Sequence, residues 1–279
     1  MSLRPSPVIP GFNLTLGYTM LYLSLLVFIP LAGMFIYAAQ LTWTEFWQIV
    51  SHDSVLIALK LSLVTALVAA LLNGVIGTVL AWVLVRYRFP GRRIIDAMID
   101  LPFALPTAVA GIALTALYAP NGLVGKLFAA DGIIGQFFEL QIAFTPLGIS
   151  LALVFVTLPF VVRTIQPVLE DIPRELEEAA SCLGANPLQV FRHVLLPALL
   201  PAWLTGFSLA FARGLGEYGS IIFISGNIPK ETQVLPFLIM AKLDQFDYAA
   251  ATAIGVMMLV LSFIMLLIIN LIQRYVAKR

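Results

Sequence analysis

The feature that most constrains this chain is an unbroken apolar run over residues 55–85 whose only charge, Lys60, lies near its start. A bilayer-spanning helix needs about 20 mostly apolar residues. It must also satisfy its own backbone hydrogen bonds, because lipid offers none. Five further stretches meet the same requirement, at 17–39, 94–118, 146–166, 202–224 and 248–272. The chain is 61% hydrophobic and 11% charged, against about 25% charged in a soluble domain. The expected fold is therefore an all-α integral membrane protein with about six transmembrane helices. No Gly/Ser linker, repeat or low-complexity tract divides it, so residues 1–279 are read as one membrane domain. The first run exceeds the roughly 7–15 apolar residues of a signal-peptide core, and is read as a retained span.

Basic residues set the orientation. With both termini cytoplasmic, the inner segments hold Arg4, Arg86, Arg88, Arg92, Arg93, Arg163, Arg174, Arg192, Arg274, Lys278 and Arg279. The outer segments hold Lys126, Lys230 and Lys242, and Lys60 and Arg213 fall within spans. A net charge of +1 gives no basic surface for nucleic acid. The single cysteine, Cys182, and two distant histidines, His52 and His193, offer no multi-cysteine or His-rich metal site. No metal, cofactor or catalytic constellation is expected. No G-x-x-x-x-G-K-[ST] string is present, so nucleotide binding by this polypeptide is not expected.

Four segments interrupt the apolar pattern. In the second span, Asn73, Gly74 and Gly77 make a small, polar face suited to helix–helix contact. In the third, Pro102 and Pro106 each remove a backbone donor and predict a break or kink. Between the fourth and fifth spans lies a polar island at about 170–197. There Pro173 and the acids Glu175, Glu177 and Glu178 suit a helix start. Leu176, Ala179, Ala180 and Leu183 form one apolar stripe, and Gly184 suits a left-handed helix end. Asn186-Pro187 reads as an N-cap and first helical position. Leu188, Phe191, Val194 and Leu195 then give a second apolar face, expected to stop at Pro197. From these residues alone the island is either a protein-docking surface or an amphipathic linker. In the fifth span, Arg213 lies about 18 Å along a helix counted from Pro201. Glu217 follows one turn on and can pair with it. A charge at that depth requires a partner or a wet path. A gate on the translocation path, with Gly214 and Gly216 permitting a bend, and a structural ion pair are both open readings.

The order Glu178-Ala179-Ala180, Gly184, then Val194-Leu195-Leu196-Pro197 resembles the cytoplasmic E-A-A loop of bacterial ABC-importer permeases, with Val194 in place of isoleucine. The string L-P-x-A-L-P-T-A-V-A-G over 101–111 and R-G-L-G-E-Y-G-S over 213–220 are similar to the oxyanion branch, and I-F-I-S-G-N over 222–227 to its sulfate/thiosulfate T-type subunits. The resemblance implies that the loop docks in a cleft of an ATPase subunit, through Glu178, Ala179, Ala180, Gly184, Leu188, Phe191 and Pro197, two such subunits serving a pair of permeases. It implies a homologous second permease subunit and a periplasmic sulfate-binding protein as further partners. Arg213, Gly214, Gly216, Glu217, Pro102 and Pro106 are the candidates for the translocation path or gate. The expected activity is ATP-driven import of sulfate or thiosulfate across the inner membrane. A molybdate or tungstate importer and an ATP-independent anion transporter are the alternatives.

Overall fold

The computed structural model describes residues 12–129, 132 and 140–276. Its elements run, in order, through α1 (Phe12–Leu23), a π turn, α2 (Ile29–Ala38), α3 (Trp43–Val50) and α4 (Asp53–Arg86). There follow α5 (Arg92–Ile99), α6 (Leu101–Ala104), α7 (Thr107–Tyr118), α8 (Gly125–Phe128) and α9 (Pro146–Asp171). The polar island gives α10 (Arg174–Cys182) and α11 (Pro187–Val190), then a π turn over Phe191–Leu195 leads into α12 (Leu196–Leu215). The chain closes with α13 (Ile221–Ile224), α14 (Leu235–Asp244) and α15 (Tyr248–Val276).

Helix α4 shows how this sequence folds in lipid. Its buried positions are mostly small or polar: Ala58, Ser62, Thr65, Ala66, Ala69, Ala70, Asn73, Gly74, Gly77 and Ala81. Its exposed positions are large and apolar, among them Val64, Leu67, Leu71, Leu72, Val75 and Val79. Lipid is as apolar as leucine, so small residues go inward, where they allow backbones to approach. That approach is close. A Cβ added at Gly77 would sit 2.9 Å from the Val161 side chain, and one at Gly206 would sit 3.0 Å from the Val161 backbone. Val161 thus marks the point where α4, α9 and α12 meet as the central packing unit. Trp203 of α12 donates its indole N–H to the Gly74 carbonyl at 2.9 Å. Asn73 donates to Thr157 at 2.8 Å and to the Val154 carbonyl at 3.0 Å. The small, polar face expected in the second span is therefore its contact with α9 and α12.

Around this unit α15 packs on α12, α14, α2 and α3. Ser62 accepts the Leu235 N–H at 2.8 Å, fixing the start of α14 beside α4. The first span stands at the edge, with almost all of its side chains exposed.

Two expectations are corrected. Among the described residues five continuous helices are long and apolar enough to cross a membrane, and the expected third span is not one of them. The stretch read as the third span is divided into α5, α6 and α7, and only the 12-residue α7 is a regular apolar piece. Leu105 and Pro106 are extended, with ψ of 137° and 130°, because a residue before proline is pushed out of the helical region. Pro102, by contrast, sits in the first turn of α6, where its missing N–H breaks nothing.

The second correction concerns Pro197, which does not end a helix. It occupies the first turn of α12, directly after the π turn, and helix runs from Pro187 through to Leu215. The fifth span accordingly stops at Leu215 instead of reaching Ile224. Arg4, Lys278 and Arg279, counted among the inner basic residues, lie outside the described residues.

Candidate coupling loop and helix breaks

The polar island folds as a tethered helical hairpin. Gly184 has φ +88°, and the Ala185 N–H returns to the Ala180 carbonyl at 3.1 Å, as a left-handed helix end requires. Asn186 and Gln189 then cap α11 reciprocally, each side chain accepting the other's backbone N–H at 2.8 Å. Two arginines bind this hairpin to the end of α4. Arg86 donates to Glu177 at 2.7 Å and to the Ile172 carbonyl at 3.0 Å. Arg174 donates back to the Arg86 carbonyl at 3.1 Å, answering one of the orphan carbonyls at the C-terminus of α4.

The inner face of the hairpin is closed by Val190 and Leu195, which are buried, and by Phe191 against Trp82 with ring centroids 6.4 Å apart. The outer face is open: Leu183 is 89% exposed, Leu188 73% and Leu176 52%. Glu178, Ala179, Gly184 and Pro197 are exposed as well, Ala180 is half-buried, and Phe191 is turned inward. The expected second apolar face is therefore split, Leu188 pointing away from Phe191 and Leu195. Between α10 and α11 lies a groove of about 430 Å³ lined by Glu177, Glu178, Ser181, Cys182 and Phe191 among others. Trp82 also lines it, and its indole N–H is buried without a hydrogen-bond partner among the described residues.

The second cluster lies where α12 ends. Arg213 Nη1 pairs with Glu217 Oε2 at 2.5 Å. Because the helix stops at Leu215, Glu217 reaches back to Arg213 from a non-helical segment and not along a continuous helix face. The pair is unequal: the Glu217 side chain is 1% exposed and that of Arg213 37%. Glu217 also accepts the Ser220 N–H at 2.9 Å and the Ser220 hydroxyl at 3.0 Å. Gly214 is buried against Ala66, whereas a Cβ at Gly216 would meet nothing within 4 Å.

This break faces the other one. A Cβ at Gly111 would overlap the Ser220 backbone, and one at Gly219 would overlap the Thr107 hydroxyl. The structure thus brings Thr107, next to Pro106, to the segment that holds Arg213 and Glu217. It does not bring Pro102 there, which is buried in α6, an element packed on α9.

Sequence reasoning missed one ionic cluster. Arg163 donates to Asp100 at 2.6 and 2.8 Å, to Asp96 at 2.6 Å and to the Asp96 carbonyl at 2.8 Å. It holds the interrupted segment against α9. Two acids four residues apart at the edge of an apolar run, Asp96 and Asp100, were the available signal, since such a pair requires a cation nearby. A cavity of about 630 Å³ lies at the opposite end of α4, lined by residues such as Glu45, His52, Lys242 and Asp247. It touches neither break nor the hairpin, so charge and broken backbone, rather than cavity size, define the candidate site.

Residues 73–279 match the family model described as "binding-protein-dependent transport system inner membrane component". The chain is 46% identical over 272 residues to the sulfate transport system permease protein CysT of Salmonella typhimurium, covering 98% of this chain and 96% of that protein. It is 49% identical over 257 residues to the CysT protein of Synechocystis, covering 92% and 87%. The fold is shared with a bacterial ABC transporter involved in the import of the acidic polysaccharide alginate, at a TM-score of 0.76 and 16% identity, with 94% of each chain covered. An inward-facing methionine ABC transporter aligns at a TM-score of 0.57 and 19% identity, over 85% of this chain and 99% of that one. Helices packed for lipid, a tethered hairpin and two broken helices all fall within the matched span, and the chain belongs to the family of binding-protein-dependent transport system inner membrane components.

Proposed function

We propose that this chain is the membrane-spanning subunit of an ATP-driven importer of sulfate and thiosulfate, working beside a homologous permease subunit. Two ATPase subunits dock beneath the permease pair, one of them on the α10–α11 hairpin of this chain, and a periplasmic binding protein delivers the anion to the other side. In this reading the chain crosses the membrane six times, the third crossing being the interrupted α5–α7 segment, with both ends cytoplasmic. The observation that carries the substrate is the 46% identity to a sulfate permease over 98% of the chain.

The docking role is supported by the hairpin's form. An outward apolar stripe on a polar, capped turn is a surface built for a partner, since water alone does not favour three exposed leucines together. Arg86 and Arg174 tie the hairpin to α4, so that movement of a docked ATPase reaches the packing unit of α4, α9 and α12 as a rigid displacement.

Arg213 is read as lining the path. Glu217 is buried and held by Ser220, while the guanidinium of Arg213 keeps donors beyond those facing Glu217 and is partly open. Such a cation can meet a dianion, and Glu217 limits how tightly the anion is retained. The test is uptake of radiolabelled sulfate into vesicles carrying the complete assembly, with binding protein and ATP. Competition by thiosulfate but not molybdate supports the assignment, and preferential loss of signal with molybdate overturns it.

A further inference from the structure

Around the α4–α5 connection the arginines fall into two groups. Arg86, Arg163 and Arg174 each bond protein acceptors at 3.1 Å or less. Arg88, Arg92 and Arg93 have no carboxylate within ion-pair distance among the described residues. Together with Phe89, Gly91 and Ile94 these three line one cleft of about 460 Å³. Gly91 makes the turn possible with φ +84°, and as N-cap it supplies no side-chain cap to the first turn of α5. The N–H groups of Arg92, Ile94 and Ile95 turn to the Phe89 and Gly91 carbonyls, so α5 brings to this end chiefly the positive end of its dipole.

The rest of α5 fixes what stands beside the cleft. Asp96 and Asp100 are held by Arg163 on α9, and Ile99 is buried, which sets the rotation of the helix. Its opposite face then presents Ile94, 67% exposed, Ile95, 40%, and Met98, 57%. Three unpaired guanidinium groups therefore sit at the head of an apolar strip, at the end of a membrane helix. A small soluble anion would use the cations but has no need of the strip. A phospholipid uses both.

We propose that Arg88, Arg92 and Arg93, at the positive end of α5, bind the phosphate of an anionic phospholipid whose acyl chains lie along Ile94, Ile95 and Met98. Guanidinium forks match phosphate oxygens bidentately, and basic clusters at this depth attract anionic headgroups of the cytoplasmic leaflet. The site anchors the interrupted segment to the bilayer and so steadies the stretch that, at Thr107, meets the Arg213–Glu217 break. The leaflet named rests on the topology proposed above; the headgroup chemistry does not.

The experiment uses the purified, detergent-solubilised assembly and counts lipids retained in native mass spectrometry with phosphatidylglycerol or phosphatidylcholine. Selective retention of phosphatidylglycerol is expected, weakened about fivefold by each of Arg88→Gln, Arg92→Gln and Arg93→Gln. Arg93→Lys, which keeps the charge and guards against misinsertion, should retain it. Ile94→Ser with Met98→Ser should weaken it without altering charge. Equal retention of the two lipids, or selectivity indifferent to the arginines, overturns the site. Displacement by millimolar inorganic phosphate, or indifference to the Ile94 and Met98 changes, overturns a lipid occupant in favour of a free oxyanion. Topology is read separately, by impermeant labelling of Arg93→Cys in a Cys182→Ser chain. Labelling from outside would sink the orientation, yet leave the lipid selectivity standing.

Discussion

Arg213 and Glu217 differ in what each loses when the other is removed. Arg213→Ala leaves a carboxylate that is 1% exposed with Ser220 as its remaining partner among the described residues, a loss on the order of 3–5 kcal/mol for a broken buried pair. Assembly of the complex should fall measurably in that variant. Glu217→Gln keeps the shape and the acceptor for Ser220 while freeing a guanidinium that is already partly open. It should assemble nearly as the parent does and transport poorly. The double change Arg213→Ala with Glu217→Ala removes the stranded charge, so yield by size-exclusion chromatography should recover. Sulfate uptake should stay absent, since the cation offered to the anion is gone; recovered uptake would reduce the pair to a structural brace. The existence of this pair was legible in the sequence, because two opposite charges inside an apolar run demand an explanation. Its geometry was not. The helix end at Leu215 depends on Gly219 and Ser220 meeting Thr107 and Gly111 about a hundred residues earlier in the chain, which no local pattern reports. Arg163 was passed over for a related reason, since its acids lie 63 and 67 positions away.

Among the elements, the hairpin was the most legible and the broken helices the least. Pro173, Gly184 and the Asn186–Pro187 cap act through nearest neighbours, so their effects can be read in order along the chain. Pro197 misled because a π turn ahead of it, invisible in the residue pattern, lets the helix continue. Gly184 has φ +88° with open space around it, so Gly184→Val meets backbone strain and no clash, about 1–2 kcal/mol. Membrane insertion should be normal, with the second half of the hairpin displaced. Weaker ATPase co-purification, or loss of binding-protein-stimulated ATP hydrolysis, is the expected reading. Arg86→Gln should act differently: it frees Glu177 and loosens the tie to α4 while leaving the outward leucines in place. ATPase subunits should still co-purify, but fewer sulfate ions should be moved per ATP. A parental transport-to-hydrolysis ratio in Arg86→Gln would mean that this tether carries no coupling. The two breaks give a paired prediction of their own. Gly111→Ala should harm assembly by driving a Cβ into the Ser220 backbone, whereas Gly216→Ala, facing open space, should not. Gly219→Ala should be harmful and substantially rescued by Thr107→Ala, which removes the atom it meets. Equal tolerance of Gly111→Ala and Gly216→Ala would refute the close approach of the two breaks.

For the molecule as a whole, orientation follows from where the arginines lie, and the fold makes that test sharper than the sequence did. Arg86, Arg88, Arg92, Arg93 and Arg174 converge on one end of α4, beside the hairpin. Moving that end across the membrane during insertion would mean carrying several cations through the hydrocarbon layer, at about 2.5–3.5 kcal/mol each near its centre even on insertion scales. The cavity at the opposite end of α4 is lined by a single lysine, Lys242, paired to Asp247 at 3.5 Å, and by no arginine. The hairpin end is therefore expected to stay in the cytoplasm, where ATP is found. Cys182 is a natural reporter of this arrangement, being the single cysteine of the chain, exposed, and placed in the groove between α10 and α11. A membrane-impermeant maleimide should label it in inverted vesicles and leave it unlabelled in right-side-out ones. The same placement predicts protection: adding the ATPase subunits should slow labelling in inverted vesicles, because the partner that covers Leu183 and Leu188 also covers the groove. Labelling from the outer side would reverse the topology. Labelling from the inner side at a rate indifferent to the ATPase would keep the topology and reject the groove as its docking site.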